Sequence, residues 1–486
     1  MRLAELYFGD VEALDEGRLH PDYFDATFTV PTSFTLESLN NRRNFLIVGR
    51  KGSGKTAVQF HLGSLLGKKG YLSKFFSFYN DLRPGDHLGL ARTQRIDFLE
   101  LGDWTNIAQY YDFREIWERI FFIKIAEGFR AAGVENELTR FALGSGPRLS
   151  KLLQGIVKAT RVKFSADMSG VAVDLGFNGE DLSSPDVALS DFNSVCREIF
   201  RTRLKGAKFY LFVDELVFSK LDGKDDEVRT RAAMVRDILR QARDLNIFFA
   251  VEEIDIHIIC AIRPEVRNLI NDIDSEIGKI TNGKDVILEW SVEDGEKGLL
   301  SEIFRRKIRH SGIDVPLEEF LHPRLAFGDR DLDVYELIKR NTWGRPRDLV
   351  RLLLAIQKSN PDGTAISENE IKNGLDAYSR ASMAEIADEL GVRHGGKVVT
   401  FLRQAINRNE YRRFEDFFSI LDQSKMGVDP DVLVDELFYF GVIGNIKWTY
   451  GRPRYFFFHR NEEYLKRDYG VMIHPGLWHY FNVRGN

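Results

Sequence analysis

The chain has only two cysteines, Cys196 and Cys260, in 486 residues, which excludes a disulfide framework. Thirteen prolines leave little material for long proline-rich linkers. No apolar run approaches the roughly 18–20 residues that a membrane-spanning helix needs. Strand-like runs such as Phe209–Val213 are far shorter. The segment Met1–Glu16 turns acidic at once and lacks the apolar core of a signal peptide. These absences predict a reducing, cytoplasmic setting with no membrane partner. Lys and Arg number 68 against 73 Asp and Glu, a formal charge of −5, so the surface as a whole is not built to bind a polyanion, although a local basic patch is allowed. Fixed-period repeats and low-complexity tracts are also missing.

What is present is ordinary globular composition, 43% hydrophobic and 29% charged, at a length that suggests roughly three domains. Residues 1–40 carry eight acidic residues against Arg2 and Arg18 and read as an arm ahead of the first core strand. Phe45–Val48 is a short apolar run of the kind that forms a strand buried on both faces of a parallel sheet. A glycine-rich turn follows, then a helix from Thr56 to Leu66 closed by Gly67 and Gly70, then a second strand over Tyr71–Phe78. Residues 85–200 read as an insertion. It holds a long helix over Asp112–Ala131 and a hairpin turning at Ser169-Gly170, and it serves as decoration or as an oligomerisation or partner surface. Buried-strand runs recur at Phe209–Val213 and Ile256–Ile262, with a charged helix at about 225–244 between them. Val286–Trp290 is expected as the last core strand. From about 293 to 425 the pattern is helical. The resulting expectation is an α/β fold, a parallel sheet with helices on both faces, followed by a helical lid and a C-terminal winged-helix-like domain. The expected divisions are an arm at 1–30, a core at 31–291, a lid at 292–380 and the last domain at 381–486.

Gly49-Arg50-Lys51-Gly52-Ser53-Gly54-Lys55-Thr56 matches G-x4-G-K-[ST] at every fixed position, with a strand before it and a helix after it. Glycines let the backbone wrap a phosphate without a Cβ clash. The N–H groups through Ala57 and the helix N-terminus then point at the anion. Lys55 is expected to place its charge on the β- and γ-phosphates, and the Thr56 hydroxyl to ligate Mg²⁺. Asp214 and Glu215 follow five apolar residues, which deliver them to the C-terminal edge of a sheet, where open α/β sheets bind ligands. Asp214 is the candidate second Mg²⁺ partner, through water. Glu215 is the candidate base for an attacking water. Arg263 ends the next strand and is a candidate γ-phosphate sensor; the structural alternative is a surface arginine paired with Glu265 or Asp255. Arg347, in Gly344-Arg345-Pro346-Arg347-Asp348-Leu349 at a helix start, is a second candidate sensor.

These four elements, in this order over residues 40–360, resemble the AAA+/STAND superclass of P-loop ATPases. The resemblance implies that Lys55 and Thr56 are the Walker A pair and Asp214 and Glu215 the Walker B pair. It further implies that Arg263 is a sensor-1 arginine and Arg347 the sensor-2 arginine of the lid. The start, Tyr7-Phe8-Gly9 and then Asn44 to Thr56, resembles a bacterial P-loop ATPase family whose members often occur in mobile-element and phage-defence settings. No arginine finger is assigned; Arg267 and Arg305 are candidates. Asn282-Gly283-Lys284-Asp285 lacks the order of the guanine-reading Asn-Lys-x-Asp, which favours ATP over GTP.

Toward the C-terminus, a helix over Arg412–Leu421 and a helix capped by Asp429-Pro430 are expected. After them comes a hairpin of Val442–Thr449 and Tyr455–His459, with Arg452 and Arg454 at its tip. Initiator-type relatives carry a winged helix here. The second helix carries Asp431, Asp435 and Glu436 and no Lys, Arg, Asn or Gln, which opposes groove binding by phosphate repulsion. A protein partner or a homo-oligomer is therefore favoured over DNA. The aromatics, 37 of them Phe, fall mostly at core spacing rather than as stacking platforms. No zinc-ligand spacing or nucleophile elbow appears. The expected function is an ATP-hydrolysing switch with Mg²⁺ as cofactor. A DNA-handling initiator or loader and a scaffold with structural ATP are the alternatives.

Overall fold

The computed structural model describes residues 1–31, 38–39, 44–78, 81, 112–144, 189–216, 225–274, 276–290, 298–321, 324–327, 330–394, 396–421, 427–450, 452–460, 462 and 464–483. The hairpin expected around Ser169-Gly170 lies outside them. The chain divides into two compact units. One holds residues 1–32, 52–57 and 289–486; the other holds 33–51 and 58–288.

Two short helices, α1 (Ala13–Leu19) and α2 (Pro21–Thr27), open the first unit. The second unit is built on a five-stranded, wholly parallel sheet in the order β2-β3-β4-β1-β5. Its elements are β1 (Leu46–Val48), α3 (Lys55–Gly67, the first three residues of which belong to the first unit), β2 (Leu72–Ser77), α4 (Arg114–Ala131), α5 (Glu137–Gly144), α6 (Leu189–Arg203), β3 (Lys208–Leu216), α7 (Asp225–Val251), β4 (Asp255–Ile262), α8 (Pro264–Ile273), α9 (Ile277–Thr281) and β5 (Asp285–Ile287). The last strand is shorter than the expected Val286–Trp290 run and starts one residue earlier.

Alternation along β3 assigns the helices to the two faces. Side chains two apart share a face of a strand. Phe209 packs on α4 so closely that a Cβ on Gly128 would lie 2.3 Å from its ring, which is why that helix carries glycine there. Phe212 points the other way, against Gly63 of α3 and the ring of Phe75. The sheet is therefore covered on both sides, as the continuous apolar runs of β3 and β4 require. Around α4, Phe113 N donates to the buried Asp237 carboxylate at 2.8 Å, and Arg236 braces that carboxylate from within the same helix.

The rest of the first unit runs α10 (Leu299–Arg309), α11 (Leu317–Phe320), β6 (Arg324–Phe327), β7 (Arg330–Asp333), α12 (Val334–Asn341), α13 (Pro346–Ser359), α14 (Glu368–His394), α15 (Gly396–Ala405), β8 (Glu410–Tyr411), α16 (Phe414–Phe418), α17 (Pro430–Tyr439), β9 (Ile443–Thr449), β10 (Arg452–Phe456), β11 (Gly470–Ile473) and α18 (Trp478–Phe481). Three expectations are corrected. The stretch expected to be wholly helical contains the antiparallel pair β6–β7, whose connecting Gly328-Asp329 is a hairpin dipeptide in the sequence. The helix expected over Arg412–Leu421 shrinks to α16, because Tyr411 pairs with Val471 in a sheet and Arg413 becomes the N-cap. Arg452 and Arg454 lie in β10, not at a tip, because they pair with Thr449 and Lys447 of β9. The cap at Asp429 is as expected, its side chain accepting from Asp431 N at 2.9 Å. Helix α14 runs unbroken through the expected 380/381 division.

Two buried ionisable groups fasten this unit. Lys307 of α10 donates to both oxygens of Glu16 in α1, at 2.7 and 2.9 Å, with both side chains almost fully buried. Burial pulls Lys307 below the usual lysine range, against the attraction of Glu16. His474 is wholly buried and stacks on Trp343 at 4.3 Å and 9°, and its Nδ1 accepts from Gly476 N. Burial first, and then the charges of Arg460 and Arg345, hold it well below the ordinary histidine range.

Removing one member of a buried pair strands the other charge. Glu16→Gln is therefore expected to cost about 3–5 kcal/mol, read by denaturant unfolding, with much of it recovered in Glu16→Leu/Lys307→Met. His474 stays neutral when folded but takes a proton when unfolded below about pH 6.5. Its contribution to stability is thus present above that pH and lost as pH falls, by at most about 1.4 kcal/mol per pH unit. Unfolding at pH 7.5 and pH 5 should show a larger loss for the natural chain than for His474→Phe, which keeps a ring on Trp343.

Candidate functional site

The parallel register brings three strand ends level. Val48 pairs with Ile262, and Val213 and Leu216 pair with Cys260 and Ile262. The residues that follow or close these strands, Gly49, Arg263 and the Asp214-Glu215 pair, consequently share the C-terminal edge of the sheet. Gly49 N donates to Ile262 O at 3.2 Å across that edge.

Asp214 continues the Phe212 face, the face that carries α3. It is 7% exposed, and one of its oxygens accepts from the backbone N of Glu215 at 2.7 Å. By strict alternation Glu215 would point to the opposite face. Instead the backbone turns left-handed at Glu215, φ 56°, and the register with β4 shifts between Val213 and Leu216. Glu215 is exposed at the edge, where its carboxylate meets the Ser77 hydroxyl at the end of β2. A left-handed glutamate is uncommon, and strain of this kind is kept where a side chain must be re-aimed.

The glycine loop has the backbone its sequence requires. Gly52 and Gly54 are left-handed at φ 79° and 88°, a region costly for residues with a Cβ. Helix α3 starts at Lys55, so Lys55 and Thr56 occupy its first turn, at the positive end of the helix dipole. One turn on, Gln59 Nε2 donates to Val213 O at 3.3 Å. The Ser53 hydroxyl is buried without a hydrogen-bond partner, while its carbonyl accepts from Trp290 Nε1 at 2.8 Å. Left-handed glycines, a helix N-terminus and an orphaned buried hydroxyl make a donor set that fits a phosphate chain. Thr56 and Asp214 are hard oxygen donors of the type that Mg²⁺ takes.

The two sensor candidates are held by carboxylates. Arg263 caps α8 from the end of β4, and its guanidinium stands 3.7 Å from Glu265. Arg347 approaches the loop with its backbone, its N–H 3.4 Å from Gly52 O. A Cβ on Gly52 would lie 3.2 Å from the Cβ of Arg347. Its guanidinium points to Glu12, at 3.1 and 3.2 Å, and to Glu385 at 3.4 Å. Neighbouring Arg345 forms a two-pronged pair with Asp348, at 2.9 and 2.8 Å. Burial works against the Arg345 charge, and Asp348 together with Glu385 and Tyr378 more than offsets it. The finger candidates are also engaged within the chain: Arg267 with Asp285 and Asn282, and Arg305 with Glu302 beside the Tyr335 ring.

Sequence reasoning missed Glu12, Glu385, Ser77, Gln59 and Trp290. Only Gln59 had a local signal, one helical turn beyond Lys55. The other four meet their partners through chain segments far apart in sequence. Compared with protein-family models and with curated proteins, the chain matches none.

Proposed function

We propose that this chain is an ATP-binding and ATP-hydrolysing switch of AAA+/STAND type that couples its nucleotide state to assembly with a partner. The observation that carries the reading is the level C-terminal edge of β1, β4 and β3, where the glycine loop, Arg263 and the Asp214-Glu215 pair all end. In this reading the backbone N–H groups of residues 49–57 and the Lys55 ammonium hold the β- and γ-phosphates. Thr56 and Asp214 hold Mg²⁺, which when bound neutralises charge developing on the phosphates. Glu215 orients and deprotonates the attacking water. Its left-handed backbone is what turns the carboxylate away from the α4 face to which strict alternation would send it. Helices α10 to α13 act as the lid, and residues 396–483 as a winged-helix-like domain that carries the output. The resemblance to families found in phage-defence settings supports a role of that kind.

Arg347 adds a regulatory element. Glu12 and Glu385 supply negative charge that a γ-phosphate also supplies, so the phosphate and the two carboxylates compete for one guanidinium. Glu12 belongs to the N-terminal arm, and ATP binding in this reading loosens that contact.

Two experiments test this. Lys55→Ala is expected to abolish ATP binding, while Glu215→Gln binds ATP and loses turnover by about 10²-fold or more. Unchanged steady-state hydrolysis in Glu215→Gln removes that residue from the mechanism. Glu12→Gln is expected to tighten ATP binding by up to about fivefold, the scale of one exposed ion pair, measured by titration calorimetry. The gain should vanish in the Arg347→Ala background.

A further inference from the structure

The β9–β10 hairpin carries an electrostatic arrangement that the folded chain does not resolve. Strand register places Arg454 directly opposite Lys447 and Arg452 opposite Thr449. Residues facing each other in an antiparallel pair share a face, as do residues two apart. Lys447, Arg452 and Arg454 therefore line one face, and all three are exposed. Like charges directly opposite destabilise a sheet. Among the described residues, no carboxylate pairs with any of the three; Lys447 donates only to the Tyr469 hydroxyl, at 3.0 Å.

The other face and the turn are aromatic. Trp448 and Tyr455 are 43% and 40% exposed on the opposite side, with the Arg412 guanidinium 5.7 Å from the Trp448 ring centre. Tyr450 stands fully exposed at the turn, held left-handed at φ 50°. These three aromatics stand apart from the core spacing of most of the others. The acidic helix α17, the sequence feature that argued against polyanion binding, is partly neutralised. Arg467 pairs with Asp431 and lies 3.7 Å from Asp435.

We propose that this hairpin is a nucleic-acid contact surface. Lys447, Arg452 and Arg454 meet phosphates, and Tyr450 at the turn beside them stacks on an exposed base. An acidic protein would satisfy the cations but offers nothing regular to the aromatics; nucleic acid offers both a phosphate chain and π faces. The surface is independent of the nucleotide reading, since none of its residues belongs to the glycine loop or the sheet edge.

The test is fluorescence anisotropy with the full chain and labelled 20-nucleotide probes: single-stranded DNA, single-stranded RNA and duplex DNA, between 50 and 300 mM KCl. Each phosphate contact contributes about 0.7–0.9 to the slope of log K against log salt. The triple variant Lys447→Ser/Arg452→Ser/Arg454→Ser is expected to flatten the slope by about two to three and weaken binding at least tenfold at 50 mM. Tyr450→Ala is expected to weaken single-strand binding at least fivefold and duplex binding less, by loss of one stacked base. Arg454→Lys should retain most of the affinity, which separates charge from folding damage. Three results overturn the proposal: no binding by the natural chain to any probe, an unchanged affinity and slope in the triple variant, or competition by polyglutamate as effective as by DNA.

Discussion

The candidate site depends on one pairing constraint, the parallel register that sets β4 between β1 and β3. Parallel strands have all their C-terminal ends on one side, and here three of them stop within a residue or two of one another. At or just past these ends stand a glycine that starts a loop, an arginine that caps a helix, and a pair of carboxylates. A slip of one residue would move Asp214 from the α3 face to the α4 face. The rings of Phe209 against Gly128 and Phe212 against Gly63 make that slip sterically costly. Packing far from the edge thus holds the chemistry at the edge.

A second theme is arginine held by carboxylates. Arg345, Arg347 and Arg351 lie on one stretch, and Asp348, Glu385 and Glu12 surround them. Asp348 is fully buried, so its pair with Arg345 is structural: losing Arg345 leaves a carboxylate without solvent. The Arg347 contact with Glu12 is half in water and correspondingly cheap to break. Two arginines separated by one proline therefore sit differently, Arg345 against a carboxylate that is wholly buried and Arg347 against one that is largely in water. Solvent access, and not residue type, separates the two roles.

The C-terminal sheet repeats the lesson in the opposite sense. Its order β10-β9-β11-β8 leaves β10 at an edge, and proline within that strand blocks one hydrogen-bonding position there. Charges gather on the face of β9–β10 that the small core of Ile446, Phe457 and Met472 does not use. A net charge of −5 for the whole chain conceals this local concentration of positive charge.

Much of the fold and of the glycine loop was legible because the signals are local. Short apolar runs bounded by Gly and charged residues named β1 to β4, and the spacing of Gly49, Gly54, Lys55 and Thr56 specified a turn that only glycine backbones make. The sequence by itself determined which residues end strands and start helices, because propensity and alternation act over a few residues. Only the tertiary structure decided which strands are neighbours, that Glu215 leaves its pleat, and that Arg347 meets a carboxylate 335 residues away. It also moved Arg452 and Arg454 from a turn into a strand face, since register depends on a partner strand. Such contacts come from the packing of whole elements, whose partners lie too far along the chain for local spacing to name.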